Sequence, residues 1–242
     1  MSERARSFER AAEEYELGRP GYPVDVLDLI EVPSAATVLD LAAGTGKLTR
    51  TLAQRYARVV AVEPLDGMRA VLERTVPTAD VRAGRAEEIP AADGEFDAVF
   101  IAQAFHWFAT DAAVAELARV LRPGGSLMLL WNTMADASIT PPPPDEFQRR
   151  VRELREEGEA GQGDLDWRTP LAGSFAELGE SRVAHAAMLD AEAMVAQVAS
   201  FSWVASRSED ERRRLLAELR ALLPEQTYTM SLDVEVYWTK RR

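Results

Sequence analysis

The chain has 242 residues, of which 28 are Lys or Arg and 40 are Asp or Glu, so its net charge at pH 7 is −12. This length is enough for one full hydrophobic core, and the acidic balance argues against a nucleic-acid partner. Because cysteine is absent and only two histidines occur, His106 and His185, we expect neither disulfides nor a metal site.

The N-terminal residues 1–16 are dense in charge and contain no apolar signal core. No uninterrupted apolar segment approaches the roughly 18 residues that a membrane-spanning helix needs. We therefore expect a cytoplasmic protein that makes no membrane contact. The oligomeric state stays open.

The chain alternates between helical and strand patterns as far as Trp131. A helix is predicted over 7–17, ending at the Gly and Pro residues of 18–23, and a second helical pattern covers 24–30. The alternation that follows is typical of a parallel sheet with right-handed crossovers, and strands apolar on both faces predict helices on both sides. The predicted strands are 37–41, 58–62, 80–83, 97–102 and 126–131, and the predicted helices are 46–55, 66–74 and 111–121.

The pattern breaks after Trp131. A proline run at 141–144, a charged helix over 145–157 and a polar segment at 158–166 predict an inserted segment that lies outside the sheet. The alternation then resumes, so we expect one domain with a cap. The resumed elements are a strand at 182–189, two helices over 191–204 and 208–223, and a strand at 227–239 that is expected to end the sheet.

The strand at 37–41 runs into a turn of small residues and carries an acid, Asp40, at the junction. At the carboxyl end of a parallel strand, backbone N–H groups and a helix N-terminus face outward, and small residues let a ligand approach the main chain. A second apolar strand ends in Glu63, at the distance where doubly wound folds place the acid that holds a ribose. These features predict a nucleoside-containing cofactor. The small residues that would let it approach the main chain are Ala42, Ala43, Gly44 and Gly46.

Two other nucleotide-binding motifs resemble this turn in part. A P-loop would place its first glycine on Leu41 and its magnesium-binding hydroxyl on Leu48, so it fails at two positions. The three-glycine fingerprint of nicotinamide enzymes fails because Thr49 stands at the third glycine position. Asp40 would also repel a pyrophosphate, whereas it suits a cationic ligand such as a sulfonium amino acid.

Five motifs in order resemble those of the class I S-adenosylmethionine-dependent methyltransferases, in the small-molecule branch related to the ubiquinone/menaquinone-biosynthesis and trans-aconitate methyltransferases. The likeness covers most of the chain, and Ala42 stands where many members have the first glycine of the motif. The motifs are the turn 40–46, Ala61-Val62-Glu63-Pro64, Gly84-Arg85-Ala86-Glu87, the strand 96–99 with its loop 103–108, and Leu121-Arg122-Pro123-Gly124-Gly125.

The resemblance implies S-adenosylmethionine as cofactor, with Glu63 on the ribose hydroxyls and the segment 84–87 flanking the adenine. Two alternatives stay open, because Asp40 could cap the helix that begins near Thr45 and Met68 could be a core residue. The implied cofactor-binding residues are Asp40, Ala42, Gly44, Gly46, Glu63, Pro64, Met68, Arg85, Ala86, Glu87 and Gln103.

The acceptor side is less defined. His106 follows the fourth strand, where the methyl donor of such folds points. Three roles stay open for it: a general base, a contact to substrate or cofactor, or a packing residue beside Trp107. Trp131 and Asn132 end the fifth strand at the cleft edge, while His185 is expected to be structural. The candidate substrate residues are Tyr15, Arg19 and Tyr22 of a segment that resembles the family's lid, with His106, Trp107, Trp131 and Asn132.

The resemblance implies an α/β fold, doubly wound and Rossmann-like, with a seven-stranded, mostly parallel sheet whose last strand is antiparallel. One methyltransferase domain over 1–242 would carry an N-terminal helical lid (1–30) and an inserted cap segment (133–180). The function implied is methyl transfer to an O, N or C nucleophile of a small organic molecule, with proximity as the main catalytic effect. The rivals are a non-catalytic S-adenosylmethionine-binding regulatory or partner protein and a nicotinamide dehydrogenase.

Overall fold

The computed structural model describes residues 9–133, 136–158 and 166–242. The start of the predicted helix 7–17, and with it part of the predicted lid, lies outside the described residues, as do two pieces of the predicted cap segment. The chain divides into two compact units. The sheet unit comprises Gly21–Thr133, Leu165–His185 and Asp233–Arg242, and the helical unit comprises Met1–Pro20, Met134–Asp164 and Ala186–Leu232.

The helices and strands follow the predicted order closely. In chain order they are α1 (Ala12–Gly18), a 3₁₀ helix (Val24–Leu29), β1 (Thr37–Leu41), α2 (Lys47–Arg55), β2 (Arg58–Val62), α3 (Asp66–Thr75), β3 (Asp80–Arg82), β4 (Phe96–Ala102), a 3₁₀ helix (Phe105–Trp107), α4 (Asp111–Val120), β5 (Leu121–Asn132), β6 (Ser138–Thr140), α5 (Asp145–Gly158), a 3₁₀ helix (Thr169–Gly173), β7 (Gly179–Leu189), α6 (Ala191–Ala199), α7 (Ser202–Ala205), α8 (Glu209–Ala221) and β8 (Tyr228–Lys240).

The strands hydrogen-bond in the order β3-β2-β1-β4-β5-β8-β6, and β7 also pairs with β8. Strands β1 to β5 are parallel to their neighbours, whereas β8 runs antiparallel to β5 over residues 234–240. The predicted α/β fold, with a mostly parallel sheet and an antiparallel last strand, is confirmed.

Both faces of the sheet are covered, as the strand composition predicted. Successive side chains of a strand point to opposite faces, so Leu39 and Val99 pack into one core with Leu117 of α4, which covers one face. Val38 and Phe100 pack into a second core on the other face, together with Leu48 and Leu52 of α2. Because β1, β2 and β4 are buried on both sides, only the ends of these strands are left to bind a ligand.

The helical unit has its own core, to which α5, α6, α7 and α8 contribute. Helices α1 and α6 approach very closely, because a Cβ added at Gly18 would lie 2.0 Å from the backbone nitrogen of Gln197. Side-chain oxygens cap the N-termini of two of these helices, the carboxylate of Asp190 for α6 and the hydroxyl of Ser208, through a capping box, for α8.

Three details of the predicted architecture are wrong. The described residues form eight strands rather than seven, because the insertion supplies β6, a three-residue strand too short to show a period. For the same reason β8 does not end the sheet, since residues 229–231 pair with β6. The helix predicted over 191–204 breaks at Ser200, whose hydroxyl donates to the carbonyl oxygen of Gln197.

Candidate cofactor and acceptor site

The carboxyl ends of β1, β2 and β4 meet at one edge of the sheet unit. Asp40 on β1 is in register with Ala61 of β2 and with Phe100 of β4. The turn 42–46 and the residues that follow β2 and β4, Glu63 and Gln103, therefore gather at this edge. The sequence predicted a cofactor at this place.

The turn after β1 has an unusual backbone. Ala42, Gly44 and Gly46 all have positive φ, at 58°, 60° and 90°. Alanine rarely adopts this conformation because its Cβ is crowded there, so Ala42 stores strain at the candidate site. A Cβ added at Gly44 would meet nothing within 4 Å, whereas one at Gly46 would lie 2.6 Å from Leu72. The turn therefore packs on its inner side at Gly46 and stays open at Gly44.

Asp40 is buried, with 1% of its surface exposed. The hydroxyl of Thr49 donates a 2.6 Å hydrogen bond to its Oδ2, whereas its Oδ1 has no hydrogen-bond partner among the described residues. The pKa of Asp40 is raised to about 7, mainly by burial and to a smaller extent by the charge of Glu63, while the hydrogen bonds from Thr49 oppose the shift. A buried carboxylate oxygen without a donor suits a cationic or N–H-bearing ligand.

Glu63 is also buried, with 4% exposure, and it supports the turn. Its Oε2 accepts from the main-chain N–H of Gly44 at 2.9 Å, and its Oε1 accepts from that of Leu65 at 2.9 Å. The Arg69 guanidinium donates to the carbonyl oxygen of Glu63 at 3.0 Å. Burial raises the pKa of the Glu63 carboxyl to about 7, although these hydrogen bonds and Arg69 oppose the shift.

The other predicted cofactor residues follow β2 and β3. Met68 lies in the first turn of α3 with 3% exposure, and Pro64 lies between β2 and that helix. Ala86 packs into the core beneath the sheet edge, whereas Arg85 and Glu87 are exposed and lie 3.5 Å apart as an ion pair. The turn 84–87 thus presents two charged side chains around a buried alanine.

Gln103 ties the ends of β4 and β5 together. It has a φ of 56°, so both non-glycine residues with positive φ in the described chain follow strands at this edge. Its main-chain N–H donates to Leu130 at 2.8 Å, and its Nε2 donates to the carbonyl oxygen of Asn132 at 3.1 Å. The side chain of Asn132 in turn donates from Nδ2 to the carbonyl oxygen of Gly21 at 3.3 Å.

His106 lies in the 3₁₀ helix after β4, next to Trp107, whose side chain is 41% exposed. The indole Nε1–H of Trp131 donates to Nδ1 of His106 at 3.3 Å. Burial lowers the pKa of the His106 imidazole below its ordinary value. The loop after β4 and the end of β5 are therefore joined by this hydrogen bond as well as by that of Gln103.

The lid residues are divided between the units. In the helical unit the Arg19 guanidinium stacks over Phe201 at 4.3 Å and over Tyr15 at 5.3 Å, and its Nε donates to the Ser200 hydroxyl at 2.7 Å. In the sheet unit Tyr22 is buried in the core, and its carbonyl oxygen accepts from Thr51 at 2.9 Å. His185, expected to be structural, lies on β7, where burial lowers its pKa.

Sequence reasoning missed several residues that shape this edge. In the sequence, Thr49 is noted only because it stands at the third glycine position of the nicotinamide fingerprint, although its place in the first turn of α2 could have indicated a contact with the preceding strand. The indoles of Trp131 and Trp167 lie 5.0 Å apart, and Tyr237 lies 5.0 Å from Trp167. No motif contains Trp167 or Tyr237, so the sequence had no signal for these rings. We call Trp131, Trp167 and Tyr237 the aromatic cluster.

No group of three or more His, Asp or Glu side chains in 9–133, 136–158 and 166–242 is placed to hold a metal ion. Within the same part of the chain, none of the helices has the length and apolar character to cross a membrane.

Comparison with known proteins agrees with this geometry. A family described as "Methyltransferase domain" matches residues 39–129, which include the turn, Glu63 and the β4 loop. An uncharacterised methyltransferase of Mycobacterium tuberculosis is 41% identical over 218 residues, covering 90% of this chain and 85% of that protein. The demethylmenaquinone methyltransferase of Beutenbergia cavernae is 39% identical over 104 residues, which are 43% of either chain.

The fold is also found among solved structures. A candidate type II methyltransferase from Anaeromyxobacter dehalogenans has a TM-score of 0.68 and 24% identity, and the match covers 92% of this chain and 97% of that one. The chain therefore belongs to the class I S-adenosylmethionine-dependent methyltransferases. It is an enzyme of methyl transfer, and S-adenosylmethionine, which the sequence predicted, is its cofactor.

Proposed function

We propose that this methyltransferase acts on an O, N or C nucleophile of a small organic molecule, by in-line displacement with proximity as its main catalytic effect. The observation that carries the proposal is the pairing of an unpartnered buried oxygen, Asp40 Oδ1, with an open, positive-φ glycine in the same turn. A cationic ligand that binds close to the main chain of the turn fits this pairing.

The residues of the turn fit the cofactor. Asp40 would attract its cationic end, Gly44 would give it clearance, and Glu63 would accept from its ribose hydroxyls while holding the Gly44 N–H. When bound, S-adenosylmethionine supplies a methyl group on a sulfonium leaving group. The remaining candidate contacts are Ala42, Gly46, Pro64, Met68, Arg85, Ala86, Glu87 and Gln103.

The acceptor side of the proposal rests on the residues that follow β4 and β5. His106, Trp107, Trp131 and Asn132 belong to the sheet unit, as do the cofactor residues. Tyr15 and Arg19 belong to the helical unit, and their role as lid residues stays a prediction. We keep the proposal of one methyltransferase domain, with the lid at 1–30 and the cap segment at 133–180 as the sources of acceptor specificity.

The net charge of −12 supports a small-molecule acceptor over a nucleic acid. Membership of the branch related to menaquinone biosynthesis is also part of the proposal. The relative from Beutenbergia cavernae supports it over less than half of either chain.

Calorimetry with S-adenosylmethionine and its demethylated product, S-adenosylhomocysteine, tests the cofactor site. Gly44→Ala should weaken the binding of both ligands about tenfold or more, because the Cβ of the alanine would occupy the open space beside the main chain. The matched control is Gly124→Ala, since Gly124 also has positive φ, at 75°, and also has no neighbour within 4 Å of an added Cβ.

Equal loss of affinity in the two variants would attribute the effect to backbone strain and would contradict the proposed site. Transfer of a labelled methyl group to an extract of small metabolites tests the reaction itself. Tight cofactor binding without transfer to any metabolite would instead favour the regulatory or partner protein.

A further inference from the structure

The hydrogen bond between Trp131 and His106 defines which imidazole nitrogen carries the proton. An indole N–H is only a donor, so Nδ1 of His106 must present its lone pair to accept the 3.3 Å bond. A neutral imidazole has one N–H and one lone-pair nitrogen. The hydrogen of His106 therefore resides on Nε2.

The donor of this bond is held by the aromatic cluster. The Trp131 ring lies 5.0 Å from that of Trp167 and 5.8 Å from that of Tyr237. Its backbone is in the sheet, in register with Glu235 of β8. The indole N–H therefore has little freedom to release Nδ1.

The surroundings of His106 keep the ring neutral. Burial is the sole cause of its lowered pKa, with no contribution from a charged group of the described chain. The rings that contact it carry no charge: Trp107 has its centroid 4.9 Å from that of His106, and Trp131 donates the hydrogen bond to Nδ1. With Nδ1 engaged and the ring neutral, Nε2–H is the polar group that His106 has left to offer.

We propose that His106 donates a hydrogen bond from Nε2 to the methyl acceptor and does not remove a proton from it, with Trp131 as the positioning residue that enforces this role. This inference rests on the proposed function and refines its substrate class. The acceptor is then an oxygen nucleophile that is already ionised in solution near neutral pH, of which a carboxylate is the common case.

A carboxylate satisfies both requirements because it has two oxygens. One oxygen accepts from Nε2–H, and the other forms the new C–O bond to the methyl carbon. The C–S bond of the donor breaks as that bond forms, and the sulfur keeps the electron pair. The products are a neutral ester and a thioether, and no proton is released, so the step needs no base.

The tautomer can be read without any substrate. Nitrogen-15 NMR of protein labelled in histidine distinguishes a protonated Nε2 from a protonated Nδ1, and only two histidines contribute signals. His106→Gln assigns the signals. The wild type should show His106 as one tautomer with the hydrogen on Nε2, whereas Trp131→Phe, which keeps a ring but loses the N–H, should show a mixture.

Trp167→Phe is the matched control, because it removes an indole from the same aromatic cluster but not the hydrogen bond to His106. It should leave the tautomer unchanged. A hydrogen on Nδ1 in the wild type, or the same tautomer in wild type and Trp131→Phe, would overturn the inference.

The acceptor class is tested with size-matched carboxylic acids, phenols and primary amines, using labelled S-adenosylmethionine. Transfer to a carboxylic acid, with less than about one tenth of that rate on the phenols and amines, is expected. Transfer to a phenol or amine as the fastest acceptor would contradict the inference and leave the proposed methyl transfer intact. Failure of S-adenosylmethionine to bind would contradict the proposed function, while the tautomer would still be measurable.

Discussion

The main-chain N–H of Gly44 donates a 2.9 Å hydrogen bond to Oε2 of Glu63, although the two residues follow different strands. The same carboxyl accepts from Leu65 through its other oxygen. Glu63 thus holds the turn after β1 against the end of β2. The residue proposed to bind the ribose is therefore also a structural part of the turn that approaches the cofactor.

Glu63→Gln should weaken the binding of S-adenosylhomocysteine and of 5′-methylthioadenosine to the same extent, by about tenfold or more, because both ligands contain the ribose. One of its two acceptor oxygens becomes an amide nitrogen, so one of the main-chain bonds to Gly44 and Leu65 is also lost. Calorimetry measures both affinities. An unchanged affinity for methylthioadenosine would place the ribose elsewhere.

Asp40→Asn should discriminate between these two ligands. Methylthioadenosine lacks the amino-acid cation, so we expect it to lose much less affinity than S-adenosylhomocysteine, which should lose about tenfold to a hundredfold. Asp97→Asn is the control, since Asp97 lies at the start of β4 and accepts from the Thr37 N–H at 2.8 Å. A similar loss for both ligands would count against an electrostatic role for Asp40.

The pH dependence of cofactor binding should follow the two buried carboxyls. Burial raises the pKa of Asp40 and that of Glu63 to about 7, so both are partly protonated at neutral pH without cofactor. A cationic ligand favours their charged forms, so affinity should rise with pH through about 7 and binding near that pH should release protons. Calorimetry in buffers of different ionisation enthalpy measures this release, and proton uptake would contradict the assignment.

The same shift affects stability with the opposite sign. The pKa of Asp40 in the folded protein lies above its unfolded value of 3.8, so the folded state binds more protons than the unfolded state between about pH 4 and 7. The contribution of Asp40 to the free energy of unfolding of the cofactor-free protein therefore falls as the pH rises through this range. Asp40→Asn removes this effect. Its free energy of unfolding relative to wild type should therefore increase from pH 5 to pH 8 by up to a few kcal/mol, as measured in denaturant titrations.

Ala42→Gly should stabilise the protein by about 1 kcal/mol, because glycine lacks the Cβ that is crowded at the φ of 58° found at this position. Ala43→Gly is the control, since Ala43 is buried without a positive φ and should lose stability. Thermal unfolding of the two variants gives the comparison. A lower melting temperature for both would show that Ala42 is not strained.

Gly18→Ala should destabilise the protein by about 3 kcal/mol or prevent folding, because its Cβ would lie 2.0 Å from a main-chain atom of α6. Gly21→Ala, three residues later, meets nothing within 4 Å and should fold normally. Circular dichroism and thermal melts compare the two. Comparable stability would mean that the two helices can separate.

The sequence was most informative about strands and turns that are recognised from neighbouring residues alone. The bounds of β1 and β2 could be predicted, because a short apolar run followed by a turn of small residues is a local pattern. Since parallel strands end at the same edge of a sheet, the gathering of Asp40, Gly44 and Glu63 at that edge follows from those bounds. The division into two units could not be predicted, since the helical unit is assembled from segments far apart in the chain. The bond between Trp131 and His106 also depends on where the end of β5 meets the 3₁₀ helix after β4, which neither segment encodes by itself.

The close crossing at Gly18 joins a helix near the start of the described chain to one that begins at Ala191. During synthesis on a ribosome, the turn that receives the cofactor and the strands that flank it emerge well before α1 can find its partner. The buried small-residue face of α1 is exposed throughout that interval. Chaperone capture and premature aggregation of this nascent chain should therefore involve α1, long after the cofactor edge has been translated.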